Sequence, residues 1–286
     1  MKLQSFLPKG WVVNIFLVSS AVLIWINCGR PKPDPLIELQ KLENEKGSAA
    51  AQEFCLVLLK QFPQNLPIQS YLLHLRKKQL MTLVAQQETP EQWVIDSLMK
   101  IGKQLDDLSQ KDSQNVFVLD KAAGFYLDLG HLERAEELYQ KILRLDTLNF
   151  VAYKNLSLIY FNWQKNDLAY QNIRRALKIQ PQDPEVLQIS ETIYQNYENY
   201  LLSEVDQHPR QIIPLFKLAQ FHVQNGNEDT GLETLQKILT FNKNHIPSLR
   251  MAAKIFQNKH QYWESLKYYL GADSLQILAQ GKRGPS

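Results

Sequence analysis

Apolar positions along most of the chain recur three and four residues apart, as in Leu119, Ala122, Ala123 and Tyr126, and again in Leu138, Ile142 and Leu145. That spacing lines one face of a helix, and no stretch of the body alternates with the period of two that a half-buried strand requires. Helix breakers arrive at intervals: Gly130, the Pro181 to Pro184 turn, His208-Pro209, Gly226 and Pro247. The pattern predicts short amphipathic helices in succession from Leu36 to about Ala279, with no sheet. Two segments depart from it. Leu66 to Asn115 is too long for one pair of such helices and predicts one long helix, then another beginning at Thr89-Pro90-Glu91. Pro184 to Gln211 is too short for a full pair, so that segment is shortened or its helices are fused.

The chain is also similar to itself. The shift that lays Leu119 on Tyr153 also lays Tyr126 on Tyr160, Ala135 on Ala169 and Tyr139 on Ile173. The same shift, applied further on, lays Leu218 on Ala252, Gly231 on Ser265 and Leu235 on Tyr269. The most regular copy, Phe150 to Asp183, carries Tyr153, Leu156, Ser157 and Tyr160, then Ala169, Ile173, Ala176 and Pro181. This order of large and small residues, at this period, resembles the tetratricopeptide repeat (TPR). The copy at 116–149 has Thr147 in place of the closing proline, and the copy at 212–245 departs at His222 and Gly231. The copy at 246–279 keeps Ala252, Ala253, Phe256, Ser265, Tyr269 and Ala272. Near the front, Ala51, Cys55, Leu58 and Pro63 read as the second half of another unit that starts near Lys32. Small residues let two helix backbones approach where they cross, and large ones fill the space beside them. One hairpin cannot bury its apolar stripe alone, so successive hairpins stack.

The resemblance implies an all-α fold, a TPR-type α-solenoid of stacked antiparallel helix pairs. The expected organisation is a signal peptide or membrane anchor at 1–28, a Pro-rich linker at 29–35, and irregular TPR-like helices at 36–115. Two TPR units at 116–183, a shortened unit at 184–211, two further units at 212–279 and a flexible tail at 280–286 complete it.

The front end has its own signal. Trp11 to Ile26 is an unbroken run without charge and mostly apolar. At about 1.5 Å per residue it spans roughly 24 Å, short of the ~30 Å hydrocarbon core, which suits a signal-peptide apolar region. Lys2 and Lys9 precede it; Asn27-Cys28-Gly29 and the stretch Arg30-Pro31-Lys32-Pro33-Asp34-Pro35, which is not helical, follow. This resembles a bacterial lipoprotein signal, in which Cys28 would be lipidated. Trp25 and Asn27 stand where the usual box holds Leu and a small residue. An uncleaved anchor helix ending at Cys28 and a cleaved signal without anchor are the alternatives. The first two tether the repeats to a membrane, with the repeats expected on the extracytoplasmic side of the cell envelope. Cys55, among Phe54, Leu58 and Leu59, is expected to be a core thiol.

Composition narrows the function. Hydrophobic residues make up 44% and charged residues 21%, and the formal net charge of +3 is too small to point to nucleic acid. Two cysteines give no disulfide framework. No phosphate-cradling glycine loop, His-Glu-x-x-His or Gly-x-Ser-x-Gly is present, and the six histidines never fall at close helical spacing. Asp106-Asp107 and Glu136-Glu137 are adjacent, pointing about 100° apart on a helix, and read as solvated faces. No catalytic residue, metal site or cofactor is expected; a pocket within 66–115 is where an enzymatic or glycan-binding activity would lie.

By resemblance, the first helix of each unit lines a concave groove that receives a protein or peptide partner. That face carries Phe117, Asp120 and Asp128, then Lys154, Asn155 and Asn162, then Gln188 and Gln195. Phe216, Lys217 and Gln220 continue it, and Arg250 and Lys254 close it. Amides in the middle pair with a peptide backbone, while Lys217, Arg250 and Lys254 suit an acidic segment. The Lys and Asn set that clamps chaperone tails is not reproduced, since Asp120, Gly124, Asn155, Glu185 and Ile189 stand there. The expected function is a membrane-tethered scaffold for protein–protein interaction at the envelope. The alternative is a structural subunit of an envelope assembly, pilus or secretion complex.

Overall fold

A computed structural model describes residues 34–86 and 89–281, with side chains described to Ser274 and at Gln276. The expected signal or anchor, Cys28, most of the linker and residues 282–286 of the expected tail lie outside the described residues. Thirteen α-helices and no strand are found among the described residues. They are α1 (Pro35–Lys46), α2 (Ser48–Gln61), α3 (Leu66–Ala85), α4 (Gln92–Lys111), α5 (Val116–Asp128), α6 (Leu132–Leu145) and α7 (Phe150–Asn162). Then follow α8 (Asn166–Ile179), α9 (Pro184–Gln207), α10 (Ile212–Gln224), α11 (Glu228–Phe241), α12 (Ile246–Asn258) and α13 (Tyr262–Gly281). None is long and apolar enough to cross a membrane.

The helix starts follow from their caps. Asn115, Asn149 and Asp183 stand one repeat period apart, and each accepts the N–H three residues on, at 3.2, 2.9 and 2.9 Å. Asn65 does the same for Ile68 at 3.0 Å, which starts α3 outside that period. Pro35 corrects the linker reading. It opens α1 behind the Asp34 cap, because a proline at the first helical position loses no intrahelical hydrogen bond.

Four hairpin turns share one geometry. The N–H groups of His131, Lys165, Asn227 and Gln261 reach back five residues to the carbonyls of Tyr126, Tyr160, His222 and Phe256, at 2.8–2.9 Å. Each turn needs a left-handed residue just before that donor. Gly130 and Gly226 supply it with φ of 76° and 85°, whereas Gln164 and His260, one period later, are forced there with φ of 56° and 59°.

The described chain forms two compact units, divided after Ile159 within α7. In the first, α1 to α4 pack in succession, and α3 also packs against α5, which pairs with α4 and α6. Its core gathers Leu39, Cys55, Leu58, Ile68 and Leu75, all essentially solvent-free. In the second, α8 to α13 pack each on the next, around Ala219, Leu235, Ala252 and Ile255. Within 184–211 the chain forms a single helix of 24 residues, α9, followed by a turn.

Small residues sit where helices approach. Ser265 Oγ donates to the Ala253 carbonyl at 2.9 Å, joining α13 to α12. Gly231, the departure from the repeat pattern, is the tightest approach of its hairpin. A Cβ there would lie 2.5 Å from Val223 Cγ2 and 3.2 Å from the Ala219 carbonyl oxygen. α10 and α11 cross so closely there that a Cβ would have to displace Val223.

Candidate protein-binding faces

The first unit concentrates charge and aromatic rings on one side of α3 and α5. Tyr71, His74, Lys77 and Lys78 recur at helical spacing on α3. Tyr71 stacks on His74 with ring centres 6.0 Å apart and donates its hydroxyl to Glu43 of α1. Lys78 also binds Glu43, at 2.6 Å. Burial pushes the Glu43 carboxyl up, but the hydrogen bonds from Lys78 and Tyr71 outweigh it and hold the group below its usual range. Burial, then Glu43, push the Tyr71 hydroxyl up. Burial, then Lys121 and Lys77, depress the His74 imidazole to about 4, so it is neutral at physiological pH.

From α5, Lys121 Nζ lies 4.9 Å from the centre of the Phe117 ring and pairs with Asp120 at 3.1 Å. Lys77, with its side chain 4% exposed, reaches Asp128. Of the expected groove residues in this unit, Lys154 and Asn155 are half-buried. The Asn155 amide donates to Tyr139 Oη at 2.6 Å, so it also holds α7 to α6. Tyr71, His74, Lys77 and Lys121 escape the sequence reading because α3 and α5 start further apart than one repeat, which puts α3 outside the frame. The matching caps Asn65 and Asn115 are the signal that aligns the two helices.

In the second unit, Asn162, Gln188, Gln195, Arg250 and Lys254 are exposed, and Phe216, Lys217 and Gln220 are half-buried. Gln188 and Gln195 lie seven residues apart on α9, about two turns and therefore on one face. Phe216 and Arg250, like Gln220 and Lys254, stand one repeat period apart at equivalent places on α10 and α12. The expected basic end is partly offset. Lys217 Nζ binds Asp167 Oδ2 at 2.6 Å, and Tyr197 Oη donates to the other oxygen at 2.6 Å. Burial, then Asp167, push the Tyr197 hydroxyl up. Arg250 pairs with Asp273 at 3.3 Å and also donates to Gln276. Lys254 has no ion pair among the described residues.

His131, His208 and His260 are exposed and Cys55 is fully buried, as their settings predict. Trp163 is half-buried beneath Lys165, while Trp263 is 81% exposed. No group of three or more metal-ligating side chains comes together among the described residues. The segment 66–115 holds two open hollows between α3 and α4, of about 290 and 440 Å³, and neither is enclosed around converging charges.

Paired helices joined by one recurring turn, with polar faces left over from packing, define a helical-hairpin repeat protein. Two of its repeats are identified: residues 119–147 and 151–183 match the tetratricopeptide repeat family. The helices at 212–279 form two further hairpins with the same turn geometry. No curated protein matches the sequence. Similar solved structures include a tetratricopeptide repeat protein from Parabacteroides merdae ATCC 43184, 16% identical, with 84% of this chain and 91% of that one covered and a TM-score of 0.39. MamA is 18% identical over 66% of this chain and 94% of that one, with a TM-score of 0.29. YrrB, a TPR protein with an unusual peptide-binding site, is 17% identical over 60% and 92%, with a TM-score of 0.30.

Proposed function

We propose that the protein is a membrane-tethered, non-enzymatic scaffold that recruits a protein partner at the cell envelope through the polar faces of its repeats. The observation that carries this reading is the exposure of Gln188 and Gln195 on one face of α9 and of Arg250 and Lys254 on α12, all outside the packed core. Amides there meet a peptide backbone, and the cations of α12 favour an acidic segment. The tether rests on the apolar run before Cys28. Cross-linking in the native membrane, followed by capture, tests the face. Lys254→Glu combined with Gln188→Ala is expected to lose a specific partner while its helix content and melting temperature stay unchanged. Retention of every partner by that folded variant would refute the assignment. Intact mass beside a Cys28→Ala variant tests the tether, with acyl mass on a chain starting at Cys28 as the expected result.

A second reading, a permanent subunit of an envelope complex, is favoured by α13. Trp263, Leu266 and Leu270 recur along that helix and are 81%, 44% and 60% exposed. Under this reading, Trp263→Glu releases the protein from a complex that survives detergent extraction. A migration unchanged from the wild type on native gels would exclude it.

A further inference from the structure

Away from the charged face of α3, the same helix forms one wall of a trench. Arg76 lies two residues after His74, about 200° around the helix, so the two sides of α3 are distinct surfaces. Leu72, Leu73, Leu80 and Leu83 line the trench side; Leu72 and Leu73 are buried at its floor, and Leu80 and Leu83 are half-buried. The facing wall is α4, with Trp93, Ile101 and Leu108 on one stripe. The two hollows of about 290 and 440 Å³ share Arg76 and Gln104, so they lie next to each other along α3 and α4, and Leu59 of α2 also lines the first. From Trp93 to Lys111 the α4 wall runs about 27 Å, at about 1.5 Å per residue.

The rim is basic. Arg76, Lys100 and Lys111 line the two hollows against a single carboxylate, Asp107. None of the three cations makes an ion pair among the described residues, in contrast to Lys77, Lys121 and Arg134 of the same unit. Trp93 leaves 52% of its surface exposed at the open end. Both walls offer side chains only. An extended strand would leave its backbone groups without partners there, whereas a helix satisfies its own and presents an apolar stripe.

We propose that the α3–α4 trench docks an acidic amphipathic helix of a partner protein, a second binding surface independent of the repeat faces. The helix lays its leucine-type face on Leu80, Leu83 and Trp93, the apolar lining residues that keep accessible surface, and sets carboxylates against Arg76, Lys100 and Lys111. The site is a product of the irregular segment: α3 and α4 have 20 residues each, against 13 and 14 in α5 and α6, and the extra turns lengthen the walls.

The test uses the full chain and two synthetic amphipathic peptides long enough to span the α4 wall, about 18 residues as a helix. One carries glutamates flanking a leucine face and the other lysines in their place. Fluorescence anisotropy is expected to show the acidic peptide binding at least about tenfold more tightly. Arg76→Glu with Lys100→Glu, both at the rim, is expected to abolish that preference with an unchanged circular dichroism melt. Leu80→Asp is expected to weaken both peptides. Equal binding of the two peptides, or a preference that survives the double rim variant, would overturn the proposal. So would loss of binding in Lys254→Glu, which would place the peptide on the repeat face instead. A photo-cross-linker at Gln104 that reacts with residues 1–33 of its own chain would overturn it too, by making the occupant intramolecular.

Discussion

At the scale of single residues, the pattern's exceptions carry the most information. His222 and Gly231 read as weak matches to the repeat, yet both are buried, and Gly231 marks where α10 and α11 come closest. Periodicity reports which side of a helix is apolar but not how near the next helix lies, so this is not legible in the sequence. Gly231→Ala must displace Val223 and press on the Ala219 carbonyl. It is expected to destabilise the protein by about 1–3 kcal/mol in urea unfolding. His74 gives a second prediction. Its imidazole is depressed from 6.5 to about 4, so below pH 6.5 the unfolded chain takes up a proton that the folded chain refuses. Stability therefore falls as the pH drops through that window and is fully present above it. Replacing His74 by Gln is expected to flatten this part of the melting-temperature profile relative to the wild type, with Glu43, Lys77, Lys78 and Lys121 left in place. A parallel decline in both proteins would assign the acid sensitivity to other groups.

At the scale of elements, the turn is the unit that repeats most faithfully. Gly130 and Gly226 announce it in the sequence, but Gln164 and His260 hide it, because neither residue type signals a left-handed backbone. Gln164→Gly and His260→Gly relieve that conformation and are each expected to stabilise the fold by about 1 kcal/mol, measured by thermal or urea unfolding. The helix starts are partly legible. Thr89-Pro90-Glu91 marks α4, whose cap is Glu91, while the Asn65, Asn115 and Asn149 caps are quieter signals than the proline and glycine breakers around them. On the binding faces, the sequence places Lys217 and Arg250 on α10 and α12 but is silent on Asp167 and Asp273, which meet them through space.

At the scale of the whole molecule, stability is local. Each helix draws most of its burial from helices close in sequence, and the helices at the two ends of the described chain are covered from one direction, α1 by α2 and α3 and α13 by α12. Amide exchange is expected to be slowest in α5, α6 and α10 to α12 and fastest in α1 and α13. Uniform protection along the chain would contradict that account. The all-helical class and the repeat period follow directly from hydrophobic spacing and self-similarity. The trench along α3 does not, because it arises from two helices that outgrow the period and expose walls that no repeat template describes.

The sealed position of Cys55 has a practical consequence. Its thiol is fully buried among Phe54 and Leu58, and burial, then Glu43, push it up to about 12. Almost no thiolate is present at neutral pH, and no reagent reaches it without unfolding. The full-length sequence has one other cysteine, Cys28. A maleimide dye applied to the native protein thus acts as a one-position reporter. Uptake at one equivalent signals an unmodified Cys28 side chain, and refusal until denaturant is added signals either an occupied Cys28 sulfur or a chain cleaved beyond Cys28, which intact mass separates.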